Sequence, residues 1–169
     1  AIVESVRPDI ARLPAVQDTW IMSGRKTEAI DVDARDAALT EKYARQIFAK
    51  VPGIFVYDMD GTGNQLNIAA RGLDPHRSWE FNIRKDGVLT NTDMYGYPAS
   101  HYNAPMEAVA RIELVRGTGS LQYGAQFGGL LNLVTKGPDT ARAFAFESVN
   151  TVGSFGLLST FNRASGLIG

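Results

Sequence analysis

The feature that most constrains the fold is a glycine-rich segment between two short apolar stretches, in residues 111–136. Ile112 and Leu114 alternate with polar neighbours at its start, and residues 130–135 are rich in Leu and Val, so both flanks are predicted strands. The glycines are Gly117, Gly119, Gly124, Gly128 and Gly129. Because glycine adopts backbone conformations that other residues avoid, this spacing predicts tight turns or close approach by another surface.

The composition is that of a globular protein with one ordinary domain, since the chain has 169 residues, 44% of them hydrophobic and 21% charged. The net charge of −1 gives no electrostatic argument for a nucleic-acid partner. The absence of cysteine excludes a disulfide scaffold, a thiolate metal site and a cysteine nucleophile.

Apolar periodicity places the individual elements and predicts an α+β fold. Trp79, Phe81 and Ile83 show the clearest period of two, and Pro52-Gly53 ends the best helix candidate. The predicted strands cover residues 18–23, 28–32, 54–57, 66–71, 79–84, 111–116, 130–135, 144–150 and 157–163, the predicted helices cover 37–50 and 105–109, and an Asp-Gly turn lies at 85–88.

Motifs that would indicate an enzyme or a metal site are incomplete. The Gly-Thr-Gly turn at 117–119 lacks the third glycine of a dinucleotide-binding motif, because that position is Gln122. Residues 58–69 begin like a calcium loop but end in Ala69 instead of a bidentate Glu. The two histidines and the scattered carboxylates form no spacing that nominates a metal site or an acid–base pair. The sequence therefore predicts a protein that is not an enzyme.

Two predicted loops, residues 73–79 and 95–102, are rich in Arg, His, Tyr and Trp. Such side chains combine rigid contact area with hydrogen-bonding tips. The two loops together are predicted to contact a ligand. The alternative is that individual rings only cover the core.

Seven short motifs also occur in a fixed order over residues 18–138. They are Val51-Pro52-Gly53-Ile54, Ala70-Arg71-Gly72, Lys85-Asp86-Gly87, Pro105-Met106-Glu107-Ala108-Val109, Arg111-Ile112-Glu113-Leu114-Val115-Arg116-Gly117, Tyr123-Gly124 and Gly128-Gly129-Leu130-Leu131-Asn132-Leu133-Val134-Thr135-Lys136. In this order and spacing the chain resembles the plug domain of TonB-dependent outer-membrane receptors. Thr118 and Lys85 depart from the family pattern, which has proline and an apolar residue at these positions.

The resemblance implies a small mixed β-sheet with short helices, housed in the lumen of a 22-stranded β-barrel. It divides the chain into a mobile N-terminal lead at 1–17, the plug at 18–138 and the start of a truncated barrel at 139–169. The C-terminal tail, with its predicted strands at 144–150 and 157–163, resembles the first strands of that barrel.

The same resemblance implies a function. Such receptors carry ferric chelates across the outer membrane of Gram-negative bacteria, energised by TonB, with the N-terminus of the plug on the periplasmic side. The loops look most like those of ferric-citrate receptors, so ferric citrate or a siderophore is the expected cargo. The chelator holds the iron, and no cofactor is expected. A receptor for cobalamin or a glycan, or a stand-alone soluble interaction module, is the alternative.

The resemblance and the loop composition together nominate the site residues. The predicted chelate-binding residues are His76, Arg77, Trp79, Tyr95, Tyr97, His101 and Gln126. Their positive and hydrogen-donating groups suit an anionic chelate. The predicted TonB-binding residues are Asp18, Thr19, Trp20, Ile21, Met22 and Ser23.

Overall fold

The structure is a computed structural model that describes residues 10–12, 16–17, 20–21, 27–32, 44–48, 51–57, 67–90, 104–116, 123–124 and 127–167. Its strands are β1 (Ile10–Arg12), β2 (Val16–Gln17), β3 (Trp20–Ile21), β4 (Thr27–Asp31), β5 (Ile54–Tyr57), β6 (Asn67–Ala70), β7 (Phe81–Lys85), β8 (Val88–Leu89), β9 (Val109–Arg116), β10 (Gly129–Thr135), β11 (Ala145–Val152) and β12 (Leu158–Ser165). The described elements also include one α-helix, α1 (Ala44–Phe48), and 3-10 turns at His76–Ser78, Met106–Ala108 and Ser154–Gly156.

A six-stranded sheet in the order β1-β4-β9-β10-β7-β8 forms the centre of the described fold. Strands β7 and β10 pair in parallel, and the other neighbouring pairs in this sheet are antiparallel. Strands β2-β3, β5-β6 and β11-β12 form separate two-stranded hairpins. The prediction of a mixed sheet with few helices is confirmed, and the two strands that flank the glycines, β9 and β10, lie side by side at its centre.

One face of the sheet carries the hydrophobic core. Alternation along β9 and β10 places Ile112 and Leu114 beside Leu131, and all three are fully buried. They belong to one cluster with Ile47 of α1 and Ile68 of β6. Because burial of one such side chain contributes about 1.5–3 kcal/mol, this cluster holds α1 and the β5-β6 hairpin on the sheet.

The opposite face carries a buried polar row. Glu113 of β9 accepts hydrogen bonds from Arg111 Nε at 3.0 Å and from the side-chain amide of Asn132 at 2.9 Å. The Asn132 side-chain oxygen accepts from the Gly87 N–H at 3.0 Å, and Arg84 donates to the Gly87 carbonyl at 2.8 Å. Glu113 and Asn132 are both buried. Their partners compensate the loss of water, which would otherwise make this row destabilising.

Two described glycines confirm the predicted close approach. Gly129 has φ +139°, and a side chain there would overlap the Val115 carbonyl of β9. A Cβ at Gly128 would lie 2.8 Å from the Phe81 ring and 2.9 Å from the Glu80 carbonyl oxygen. Because these two residues have no side chains, the start of β10 can lie close to β7 and β9 without displacing either strand.

The predicted Asp-Gly turn is confirmed, and one strand boundary is wrong. Asp86 and Gly87 have φ +47° and +80°, as a two-residue hairpin turn of type I′ requires. The predicted strand at 79–84 begins only at Phe81, and Trp79 lies in a turn before it. The physical reason is that Trp79 has helical backbone angles, φ −53° and ψ −33°, and its N–H donates to the His76 carbonyl at 3.2 Å, which closes the 3-10 turn.

Other predicted elements differ in length or lie partly outside the described residues. The predicted helix at 105–109 is a 3-10 turn, Met106–Ala108. Of the predicted helix at 37–50, the described residues 44–48 are helical, and the rest lies outside the description. Residues 10–12, in the lead that was predicted to be mobile, form β1, which pairs with β4.

The β11-β12 hairpin follows the sheet and is tied to the connector that precedes it. Glu147 of β11 lies 3.9 Å from Lys136 Nζ and 3.6 Å from the Arg163 guanidinium. Arg163 also donates to the Gly137 carbonyl. Strands were predicted at 144–150 and 157–163, and β11 and β12 confirm both; their membership of a barrel stays a prediction. Within the described residues, no helix is long and apolar enough to cross a membrane.

Candidate ligand-binding loop

The predicted ligand loop leaves the β5-β6 hairpin at a tight turn. Arg71 and Gly72 directly after β6 both have positive φ, +56° and +79°, which reverses the chain. A 3-10 turn follows at His76–Ser78, where the Ser78 N–H donates to the Pro75 carbonyl at 2.9 Å. The loop therefore has a defined backbone, although it was predicted only as a loop.

Two buried side chains fasten this loop to β6. The side-chain oxygen of Asn67 accepts from the Arg77 N–H at 2.8 Å, and the Ser78 hydroxyl accepts from the Ile68 N–H at 3.0 Å. Asn67 and Ser78 are fully buried. Arg77 and Ser78 have φ +53° and +51°, a conformation that costs free energy in residues other than glycine. The two hydrogen bonds offset that cost, so the loop is held in one shape.

The loop forms a pocket of about 470 Å³ at the surface of the domain. Its lining residues are Asp74, His76, Arg77, Trp79 and Glu80. The His76 backbone N–H donates to Asp74 Oδ1 at 2.9 Å, and the Tyr57 hydroxyl lies 3.4 Å from His76 Nδ1. The Asp74 contact fixes the backbone, and the Tyr57 contact orients the imidazole at the edge of the pocket, where it is exposed.

The pocket combines hydrogen-bond donors, carboxylates and an apolar ring. Arg77 and His76 supply a guanidinium and an imidazole, and Asp74 and Glu80 supply two carboxylates. The indole of Trp79 remains 60% exposed beside them. Such a lining can donate hydrogen bonds to oxygen atoms of a ligand and cover an apolar part of it.

Ser78→Ala is expected to loosen the loop and to lower the free energy of unfolding by about 1–3 kcal/mol, because the buried Ile68 N–H loses its acceptor. Hydrogen–deuterium exchange should rise at the Ile68 amide and through the loop. Ser148→Ala, at an exposed serine of β11, is the control and should change neither quantity. Unchanged exchange in Ser78→Ala would show that the hydroxyl does not hold the loop.

The structure brings together His76, Arg77 and Trp79 of the predicted chelate-binding residues, since all three line one pocket. The other four, Tyr95, Tyr97, His101 and Gln126, lie outside the described residues. The sequence did not nominate Asp74 or Glu80 as ligand-site residues. Asp74 lies within the aromatic loop at 73–79 and Glu80 directly follows it, and this position could have indicated that both belong to the site.

The predicted TonB-binding segment is described only in part. Trp20–Ile21 forms β3, which pairs with Val16–Gln17 in an antiparallel hairpin. Asp18, Thr19, Met22 and Ser23 lie outside the described residues. The predicted β-prone run therefore includes a short strand, and its role in binding TonB stays a prediction.

Among the residues described, no three His, Asp or Glu side chains gather where a metal ion could be held.

A mixed sheet with few helices, which presents a structured loop at its surface, defines this chain as a small β-rich domain. The family model described as the TonB-dependent Receptor Plug Domain matches residues 26–130, and the chain belongs to this family. The match falls within residues 18–138, where the sequence motifs predicted it. TonB-dependent receptors are outer-membrane proteins of Gram-negative bacteria.

Named relatives are transporters of several cargoes. The vitamin B12 transporter BtuB of Vibrio vulnificus (strain CMCP6) is 26% identical over 96 residues, which are 56% of this chain and 15% of that protein. The unliganded ferric citrate transporter FecA shares 22% identity with a TM-score of 0.53, over 82% of this chain and 25% of that chain. The copper transporter OprC shares 14% identity with a TM-score of 0.60, over 85% of this chain and 22% of that one.

The chain thus spans a quarter or less of the length of these relatives. At these identities the two solved structures show the fold alone. The relatives are described as transporters and not as enzymes.

Proposed function

We propose that this chain is the plug of an outer-membrane transporter that takes up a ferric chelate and is energised by TonB. The observation that carries the proposal is the fastened loop, which holds Arg77, His76 and Trp79 around one surface pocket. A pre-shaped loop binds with less loss of conformational entropy than a mobile one. The iron is cargo and stays coordinated by its chelator.

Arg77 and His76 would donate hydrogen bonds to the oxygen atoms of the chelate, and Trp79 would cover an apolar part of it. Ferric citrate and siderophores are the candidate cargoes. The likeness of the predicted loops to those of ferric-citrate receptors favours this class of cargo.

Transport requires a link between the loop and the N-terminal segment. Chelate binding would shift the plug toward a state in which residues 18–23 are available to TonB. That segment would then add to TonB as a strand, because an extended chain can hydrogen-bond to a sheet edge. The barrel would enclose the plug, and the N-terminus of the plug would face the periplasm. Strands β11 and β12 would be the first strands of the barrel.

The test is equilibrium binding of iron(III) citrate and of siderophore complexes to the intact receptor that carries this plug. Arg77→Ala is expected to weaken binding roughly tenfold, as loss of one charge-assisted hydrogen bond does, and His101→Ala tests the second loop. Arg142→Ala, at an exposed arginine of the connector between β10 and β11, is the control. Unchanged affinity in both loop variants would remove these loops from the site.

A cobalamin receptor is the second candidate, because the vitamin B12 transporter of Vibrio vulnificus is 26% identical to this chain over 96 residues. Tighter binding of cyanocobalamin than of every ferric chelate would support a cobalamin receptor. A glycan receptor of the same architecture and a soluble interaction module are further alternatives, and binding of a ferric chelate would exclude both.

A further inference from the structure

We propose that a second pocket, between the connector that follows β10 and the end of β12, binds the head group of an anionic phospholipid. Residues 136–138, 143–144 and 163–166 line this connector pocket, and its volume is about 540 Å³. It shares no lining residue with the Asp74–Glu80 pocket, and its ligand is not cargo. The inference rests on the proposed function, because β11 and β12 meet lipid only as strands of the receptor's barrel.

Two cationic side chains line the connector pocket, and one carboxylate lies against both of them. Lys136 Nζ lies 3.9 Å from Glu147 Oε1, and the Arg163 guanidinium lies 3.6 Å from Glu147 Oε2. The positive charge of the two cations therefore exceeds the negative charge of Glu147 by one. Asp139 and Arg142 of the connector pair at 3.7 Å, so their charges cancel. An occupant with one negative charge, such as a phosphodiester, balances the pocket.

Contacts between the connector and β12 hold the connector pocket in shape. The Arg163 guanidinium donates to the Gly137 carbonyl, which fixes this cation beside the connector. The chain at Gly166 passes so close to the connector that a Cβ there would overlap the Ala143 carbonyl. Because a donor that is already in place loses little conformational entropy on binding, the fixed guanidinium favours binding of an anion.

An apolar surface adjoins the two cations. Phe144 lines the pocket and is 70% exposed, and Phe146, two residues further on, is 62% exposed. Leu167 directly follows the lining residue Gly166 and is 56% exposed. A small anion would use the cations alone, whereas a lipid would also cover these apolar side chains with its acyl chains. The pocket therefore fits an amphiphile with an anionic head group.

The faces of the β11-β12 hairpin place this pocket at the rim of the proposed barrel. Glu147 and Arg163 contact the connector, which begins at Lys136. Because the connector belongs to the plug, this face of the hairpin would line the lumen. Phe146 alternates with Glu147 and lies on the opposite face, which would meet lipid. Basic residues at such an interface attract anionic head groups. In the proposed orientation, the lipid would belong to the leaflet on the periplasmic side.

The experiment is native mass spectrometry of the intact receptor that carries this plug, titrated in detergent with dioleoylphosphatidylglycerol or dioleoylphosphatidylcholine. The two lipids have the same acyl chains, but only the first has a net negative charge. We expect phosphatidylglycerol to bind roughly tenfold tighter than phosphatidylcholine. Inorganic phosphate at the same concentration should not displace phosphatidylglycerol, because it cannot cover the apolar surface.

Three substitutions locate the bound lipid. Lys136→Gln should weaken binding of phosphatidylglycerol roughly tenfold, whereas Lys136→Arg, which keeps the positive charge, should retain most of the affinity. Phe144→Ser should weaken binding of both lipids, because it removes apolar contact area. Arg142→Gln is the control, since this arginine is 73% exposed, lies in the same connector and does not line the pocket. It should change the affinity for neither lipid.

Three results would overturn the inference. Equal affinities for the two lipids would show that the head-group charge is not recognised. Displacement by inorganic phosphate at equal concentration would assign the pocket to a small anion. Unchanged binding of phosphatidylglycerol in both Lys136→Gln and Phe144→Ser would place the lipid elsewhere. Each of these results leaves binding of a ferric chelate, and with it the proposed function, in place. A receptor that is not found in the outer membrane would contradict both proposals.

Discussion

Gly129→Ala is expected to destabilise the plug by about 4 kcal/mol, the sum of a strained backbone and a steric overlap. Gly129 has φ +139°, and a Cβ there would overlap the Val115 carbonyl of β9. Strain of this kind costs about 1–3 kcal/mol. Displacement of β9 and β10, the central pair of the sheet, adds about 1–3 kcal/mol. The measurement is the free energy of unfolding in urea.

Gly137→Ala is the matched control for this prediction. Gly137 lies in the connector after β10, and a Cβ there would meet nothing within 4 Å. Alanine should therefore leave stability unchanged or raise it by about 0.4–1 kcal/mol, because it restricts the unfolded chain. A Gly129→Ala variant as stable as Gly137→Ala would show that β9 and β10 do not approach as closely as the structure shows.

Asn132→Leu is expected to cost about 3 kcal/mol, because the buried Glu113 carboxylate and the half-buried Gly87 N–H lose a partner at once. The Asn132 amide donates to Glu113 Oε2 at 2.9 Å, and its oxygen accepts from the Gly87 N–H at 3.0 Å. Leucine has a similar volume but serves neither group. The loss at Glu113 is the more costly one, because its buried Oε2 loses its hydrogen bond, although Oε1 keeps those from Arg111.

A double-mutant cycle isolates this effect from a change in packing. Glu113→Gln removes the charge, so Asn132→Leu should cost less in that background. Asn150→Leu replaces an exposed asparagine of β11 and should change stability by less than about 0.5 kcal/mol. If Asn132→Leu lowers the free energy of unfolding equally in the unsubstituted protein and in the Glu113→Gln variant, the side chains at positions 113 and 132 are not coupled.

Local chemistry made most of the strands predictable. Apolar alternation at Ile112 and Leu114 predicted β9, and the Asp-Gly pair at 86–87 predicted the type I′ turn. Both patterns depend only on near neighbours in the sequence. The polar row did not follow from this pattern. Glu113 and Asn132 sit at positions that alternation assigns to solvent, yet both are buried. Gly87, which donates to Asn132, reaches it only because β7 lies beside β10.

The sequence by itself determined the family, the glycine-dependent strand pair and the loop at 73–79 that carries the candidate site. Only the tertiary structure decided which side chains of that loop share a pocket, and that two carboxylates accompany the donors. The physical reason is the backbone of Arg77 and Ser78, whose positive φ is unfavourable by local preference. Buried hydrogen bonds to β6, about ten residues away in the sequence, stabilise it.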